Sequence, residues 1–176
     1  MQTVLVRIGG TRMDNITLIG MPGSGKSTVG VLLAKTLGCG FLDTDLLIQQ
    51  REGALLQDII DQKGVTYFLQ AEEKAVQAVS CHRHVIAPGG SVVCRPGAME
   101  HLKGLGTVVY LRLPLEELTA RIQNISTRGI AMEPGQTLAE VYAYRSPLYE
   151  TYADHIVDCA GQTLEQTVRA VLDCLR

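Results

Sequence analysis

The 176-residue sequence predicts an α/β fold: three layers, α/β/α, built on a parallel sheet of about five strands. Three observations carry this. Short apolar runs alternate with segments of helical periodicity, and that alternation implies parallel pairing with right-handed crossovers. Several runs are apolar at every position, as strands covered on both faces must be. A glycine-rich loop, GMPGSGKST, joins the first apolar run to the first helical segment.

The elements follow in order. ITLIG (Ile16 to Gly20) is the first strand. Val29, Leu32, Leu33 and Leu37 recur at helical spacing, so Ser27 to Leu37 is an amphipathic helix, closed by Gly38 and Gly40. CGFLDTD is a second strand whose carboxyl end carries Asp43 and Asp45. Leu46 to Gln50 and Leu55 to Gln62 read as helical. Thr66 to Ser80 is a longer helix with Phe68, Ala71, Ala75, Val76 and Val79 as its apolar positions. HVIAPGG is the next strand, then TVVYLRL (Thr107 to Leu113), followed by a helix from Pro114. DHIVDC (Asp154 to Cys159) is the last strand, and Leu164 to Leu175 the last helix. Ligands of such sheets collect at the carboxyl ends of the strands. The glycine loop, Asp43, Asp45, Gly89 and Gly90 all fall there.

Composition fits one globular domain spanning 1–176, with 46% hydrophobic and 19% charged residues. The net charge is -2, the basic residues are dispersed and tryptophan is absent. A partner with a dense negative field, such as nucleic acid or an anionic membrane, is not expected. No apolar run reaches the length of a membrane span. Five cysteines without a CxxC pair read as reduced thiols, and a cytoplasmic location is expected. The four histidines lack metal-ligand spacing. Residues 1–14 read as an extension, a start-site choice or an edge strand. No heptad or broad apolar stripe demands a partner, so a monomer is expected.

Gly20, Gly25, Lys26 and Ser27 match G-x-x-x-x-G-K-[ST] without a mismatch, between a strand and a helix. Each residue type has a physical role. Glycines let successive N–H groups of Gly23, Ser24, Gly25 and Thr28 curl toward phosphate oxygens. The helix N-terminus adds its positive end. Lys26 neutralises phosphate charge, and the Ser27 hydroxyl is a ligand for Mg²⁺. A nucleoside triphosphate is therefore the expected ligand. The base-reading NKxD motif of GTPases is missing. The second strand ends in FLDTD about fifteen residues after the loop, a compact spacing unlike that of motor ATPases.

With FLDTDLLI, PGGSVV, RIQNISTRG and RSPLYETYAD in the same order, the chain resembles the shikimate kinase family, within the nucleoside monophosphate kinase-like P-loop kinases. The resemblance runs from about Asn15 to the C-terminus. It implies ATP-dependent phosphorylation of a shikimate hydroxyl, giving shikimate 3-phosphate and ADP for aromatic amino acid biosynthesis. It implies that Asp43 holds Mg²⁺ through water and that Asp45 orients or deprotonates the attacking hydroxyl. Helix capping is the competing role for both aspartates. Gly89 and Gly90 would approach the substrate, or simply form a turn. Arg145 would clamp its carboxylate, or form an internal salt bridge. Arg121 would stack on adenine and Arg128 would close over the phosphates, unless both are solvated surface residues. Gln162 joins the nucleotide-binding set. Residues 123–136 would form a mobile lid that excludes water.

Two positions depart from the family pattern. The motif F-R-x-x-E reads Phe68-Leu69-Gln70-Ala71-Glu72, so a carboxylate-binding arginine is replaced by Leu69. Pro88 replaces a glycine and removes an N–H donor. Arg145 then carries the acceptor carboxylate alone, or Lys63 supplies a second cation. Glu72 needs a new donor. Leu69 keeps open a kinase for another small hydroxy acid or polyol. A nucleotide-binding pseudoenzyme is the third reading.

Overall fold

A computed structural model describes residues 14–122 and 129–176. Its centre is a five-stranded sheet in the order β2-β3-β1-β4-β5, parallel throughout. The strands are β1 (Asn15–Ile19), β2 (Gly40–Asp43), β3 (His84–Ala87), β4 (Gly106–Arg112) and β5 (His155–Asp158). Every residue of β1 is buried, which is why its sequence shows no polar–apolar alternation. Asn15 is the one strongly polar side chain in it. Its amide donates to the Cys81 and Leu105 carbonyls, and its oxygen accepts from the His84 N–H at 3.0 Å. It thereby satisfies backbone groups at the amino end of the sheet.

The helices are α1 (Lys26–Leu37), α2 (Thr44–Glu52), α3 (Leu56–Gln77), α4 (Pro96–Leu105), α5 (Leu115–Arg121), α6 (Leu138–Tyr152) and α7 (Leu164–Cys174). They flank the sheet as the alternating pattern requires, α1 packing on α7 and α3 on α4. Local chemistry sets several starts. Thr137 and Glu140 form a capping box on α6, and Thr163 and Gln166 form one on α7. The two helical segments expected at 55–62 and 66–80 run on as α3, broken at Gly64 (φ 83°, ψ 164°), a conformation that glycine tolerates. Helix α4 has no counterpart in the periodicity reading. Its Pro-Gly opening resembles a turn, yet proline suits a first helical turn, and Ala98, Met99 and Leu102 bury its inner side.

The main core encloses the sheet, and a second apolar cluster joins Ile48 of α2, Leu56, Ile59, Ile60, Phe68 and Ala75 of α3, and Ala131. That cluster supports the segment over the carboxyl end of β2. The N-terminal extension expected at 1–14 lies, up to residue 13, outside the described residues, as does 123–128 of the expected lid. The described end of that lid is anchored: Ile130 and Ala131 are buried.

Packing between α1 and β2 is tight enough to reverse a propensity rule. Alanine in place of a helical glycine ordinarily stabilises by about 0.5–1 kcal/mol. A Cβ on Gly30, however, would lie 2.5 Å from the Phe41 ring. Gly30→Ala is therefore expected to destabilise the chain by about 1–3 kcal/mol in urea unfolding. A variant as stable as the parent would contradict this packing.

Candidate active site

Loop 20–25 turns from β1 into α1, with Gly23 (φ 81°) and Gly25 (φ 94°) in left-handed conformations. Lys26 is buried, and its ammonium donates to the Gly20 and Met21 carbonyls at 2.9 and 3.0 Å. Burial lowers its pKa to about 8, against the opposing pull of Asp45, Asp43 and Glu72. The Ser27 hydroxyl donates to Asp43 Oδ2 at 2.7 Å. Asp43 Oδ1 accepts from the Asp45 N–H at 2.9 Å, capping α2. Capping is thus part of what Asp43 does. Asp45 is in the first turn of α2, and its side chain caps no helix among the described residues. Its Oδ1 is buried without a hydrogen-bond partner among the described residues. Burial first, and the Asp43 charge second, push its carboxyl up to about 6.

Lys26, Ser27 and Asp45 line a cavity of about 510 Å³, while Asp43, held by Ser27, is outside its lining. Gly23, Gly25, Lys26, Ser27 and Thr28 line one end; Asp45, Glu72, Gly89, Gly90 and Arg145 line the other. Arg145 is buried on α6. One amino group, Nη2, donates to the Ala131 carbonyl at 2.6 Å, while Nη1 has no partner among the described residues. Gly89 lacks a side chain for a steric reason: a Cβ there would collide with Glu72 Oε1 and lie 2.9 Å from Asp45 Oδ1. Gly90 is held from below, its carbonyl accepting from the buried Tyr149 hydroxyl. Tyr149 also stacks on Tyr110 with centroids 5.0 Å apart.

Most expected residues converge, and some do not. Arg121 lines the cavity and pairs with Glu117 at 3.5 Å. Ser24 is buried behind the loop, and Gln162 accepts from Thr167 at 3.2 Å; neither lines the cavity. Arg128 lies outside the described residues, although its neighbour Gly129 lines the cavity. Lys63 does not supply a second cation to the acceptor end. It pairs with Glu52 at 2.7 Å on the exposed surface, over the Tyr67 ring. Leu69 packs against the second apolar cluster and stays out of the cavity lining.

Glu72 is fully buried, and its new donor is a neighbouring hydroxyl: Ser91 Oγ donates to Oε2 at 2.6 Å. Burial raises the Glu72 carboxyl to about 7, partly offset by Ser91. Ser91, Phe68 and the supporting Tyr149 were not legible as site residues. Ser91 directly follows PGG, and the orphaned Glu72 was the one signal pointing to a nearby donor.

The chain is similar to proteins of known activity over almost its whole length. The family model for shikimate kinase, SKI, matches residues 22–176. A shikimate kinase from Thiobacillus denitrificans is 37% identical over 173 residues, covering 94% of each chain. One from Mycobacterium avium is 41% identical over 163 residues, covering 90% of this chain and 91% of that one. Among solved structures, shikimate kinase from Acinetobacter baumannii in complex with shikimate aligns with a TM-score of 0.86 at 31% identity, over 93% of both chains. On this similarity over nearly the whole sequence, the chain belongs to the shikimate kinase family of phosphotransferases acting on a hydroxyl group.

Proposed function

We propose that the chain transfers the γ-phosphoryl group of ATP to a hydroxyl of shikimate, giving shikimate 3-phosphate and ADP. One observation carries the reading. One cavity is lined by the phosphate loop and also by Asp45 and Arg145, and Asp45 Oδ1 and Arg145 Nη1 have no hydrogen-bond partner among the described residues. Buried polar atoms without partners are costly, and a ligand bearing a hydroxyl and a carboxylate would satisfy both. The A. baumannii relative, described with shikimate bound, supports that choice of ligand.

In this reading Arg145 Nη1 binds the acceptor carboxylate and fixes which hydroxyl meets Asp45. The hydroxyl oxygen attacks the γ-phosphorus, the bond to the ADP oxygen breaks, and the hydroxyl proton passes to Asp45. Lys26 leaves the loop carbonyls to neutralise the transferred group. Gly23, Gly25 and Thr28 offer backbone donors, Arg121 packs on the base, and Arg128 closes over the phosphates. Gln162 contributes from the turn before α7. Ser27 Oγ and Asp43 Oδ2, 2.7 Å apart, are hard oxygen donors that suit Mg²⁺. An ion held there would take its remaining ligands from phosphate and water. Its chemistry would be Lewis-acid stabilisation of the phosphate charge. The reading takes the protein as a cytoplasmic monomer, on its five cysteines without a CxxC pair and its lack of a heptad or broad apolar stripe in the sequence. No helix among the described residues is long and apolar enough to cross a membrane.

A coupled ADP-release assay tests the reading. Shikimate-dependent turnover is expected, and Lys26→Ala and Asp45→Asn should each lower kcat by about 10²–10⁴. Tight ATP binding with no acceptor-dependent turnover would indicate a pseudoenzyme. Because Leu69 is no cation, Arg145→Leu should raise the acceptor KM by about 30-fold to several thousand-fold, the equivalent of 2–5 kcal/mol, with the ATP KM nearly unchanged. An unchanged acceptor KM would remove Arg145 from the site. Chelation with EDTA should abolish turnover and excess Mg²⁺ restore it; full activity in EDTA would refute the metal assignment.

A further inference from the structure

The phosphate loop and the loop after β3 come from distant parts of the chain, yet they touch. A Cβ on Gly90 would lie 2.5 Å from Pro22 Cδ and 2.9 Å from the Pro22 nitrogen, so the two loops pack with no room for a side chain between them. Pro22 and Gly90 both line the cavity. Phosphoryl transfer needs the attacking and leaving oxygens in line, and a displacement of about 1 Å can cost about a hundredfold in rate. The contact between Gly90 and Pro22 is therefore where the spacing of the two loops can be set.

Tyr149 lies against that contact and touches both sides of it. Its hydroxyl donates its one proton to the Gly90 carbonyl and sits 3.9 Å from the Met21 sulfur. The Met21 carbonyl accepts from the Lys26 ammonium at 3.0 Å, so the residue that Tyr149 supports also holds the lysine of the phosphate loop. The Tyr149 ring is itself fixed. It is fully buried and stacks on Tyr110 of β4 with centroids 5.0 Å apart. Burial raises the pKa of the phenol, which therefore keeps its proton and stays a donor. Tyr149 is not in the cavity lining.

We infer that Tyr149 is a positioning residue: through Gly90 and Met21 it fixes the spacing between the phosphate loop and the loop after β3, and with it the line of transfer from ATP to the acceptor hydroxyl. This rests on the function proposed above and extends it to a residue that touches neither substrate. Asp43 ties the head of α1 to the head of α2, and Tyr149 ties the phosphate loop to the β3 side. Without the Tyr149 hydroxyl both substrates still bind, but their reacting atoms are held less closely in line. Water needs no acceptor loop and competes better for the γ-phosphorus. In either reaction a bond forms from the attacking oxygen to phosphorus, the bond to the ADP oxygen breaks, and the attacking oxygen loses its proton.

Tyr149→Phe removes the hydroxyl and keeps the stacked ring. Two rates are measured well below its melting midpoint: formation of shikimate 3-phosphate, and ADP release without acceptor. Their ratio does not depend on how much of the protein is folded. Tyr149→Phe is expected to lower kcat for transfer about tenfold to hundredfold, with both KM values within about threefold and hydrolysis within about twofold, so the ratio falls by about the factor lost in transfer. Tyr110→Phe trims the other hydroxyl of the stack and should leave the ratio unchanged. An unchanged ratio in Tyr149→Phe overturns the proposal, and so does an equal fall in Tyr110→Phe, which marks a loosened core. If Tyr149→Phe lacks a cooperative melt, Pro22→Ala decides, since it trims the other side of the Gly90 contact: a fall in the ratio supports the proposal and an unchanged ratio overturns it. Transfer by the parent to another acceptor but not to shikimate rejects the substrate reading alone, and the ratio is then read with that acceptor. No transfer by the parent to any acceptor rejects both.

Discussion

The Asp43 carboxylate joins two helix starts, and the site depends on that junction. One oxygen takes the Ser27 hydroxyl at the head of α1; the other takes the Asp45 N–H at the head of α2. A single side chain thus sets the distance between the phosphate loop and the acceptor carboxylate. Both helix N-termini point positive ends at the same region, which makes it a natural place for anions. Phosphate transfer demands little covalent chemistry from a protein and much positioning, so this rigid junction bears directly on function.

Around the junction the fold gathers groups that burial does not favour. Lys26 is pushed down to about 8, while Asp45 and Glu72 are pushed up to about 6 and 7. Desolvation is the first cause in each case. Clusters of perturbed groups in a cleft are the mark of a functional site when specific geometry accompanies them. Here the geometry is the set of buried atoms on Asp45, Glu72 and Arg145 that lack partners among the described residues, on three side chains that line the same cavity. The surrounding apolar clusters hold those groups in place, at the stability cost that preorganised sites carry. Tyr149 shows the same support from a residue outside the cavity, fixing Gly90 through its carbonyl.

Legibility followed interaction range. Strands β1 and β4 were plain because buried parallel strands are continuous apolar runs. The phosphate loop was plain because its chemistry is contiguous in the chain. Helix α4 was not, since Pro96-Gly97 resembles a turn and only packing against β4 and α3 makes it a helix. Lys63 lay near the acceptor motif in sequence but faces Glu52 on the surface. Gln162, expected in the nucleotide-binding set, sits just before α7 with its side-chain oxygen engaged by Thr167.

By itself, the sequence determined the layered parallel fold, the nucleotide loop and the carboxyl-edge location of the acceptor groups. Periodicity and contiguous motifs carry that information, because each rests on residues within a turn or a strand of one another. Tertiary structure alone decided which atoms remain unsatisfied. Ser91 reaches Glu72 across 19 residues, and Arg145 reaches Ala131 across 14. Such pairings depend on how α3, α6 and the β3 loop close on one another. The same closure packs Leu69 against the apolar cluster and gives Glu72 a hydroxyl partner in Ser91.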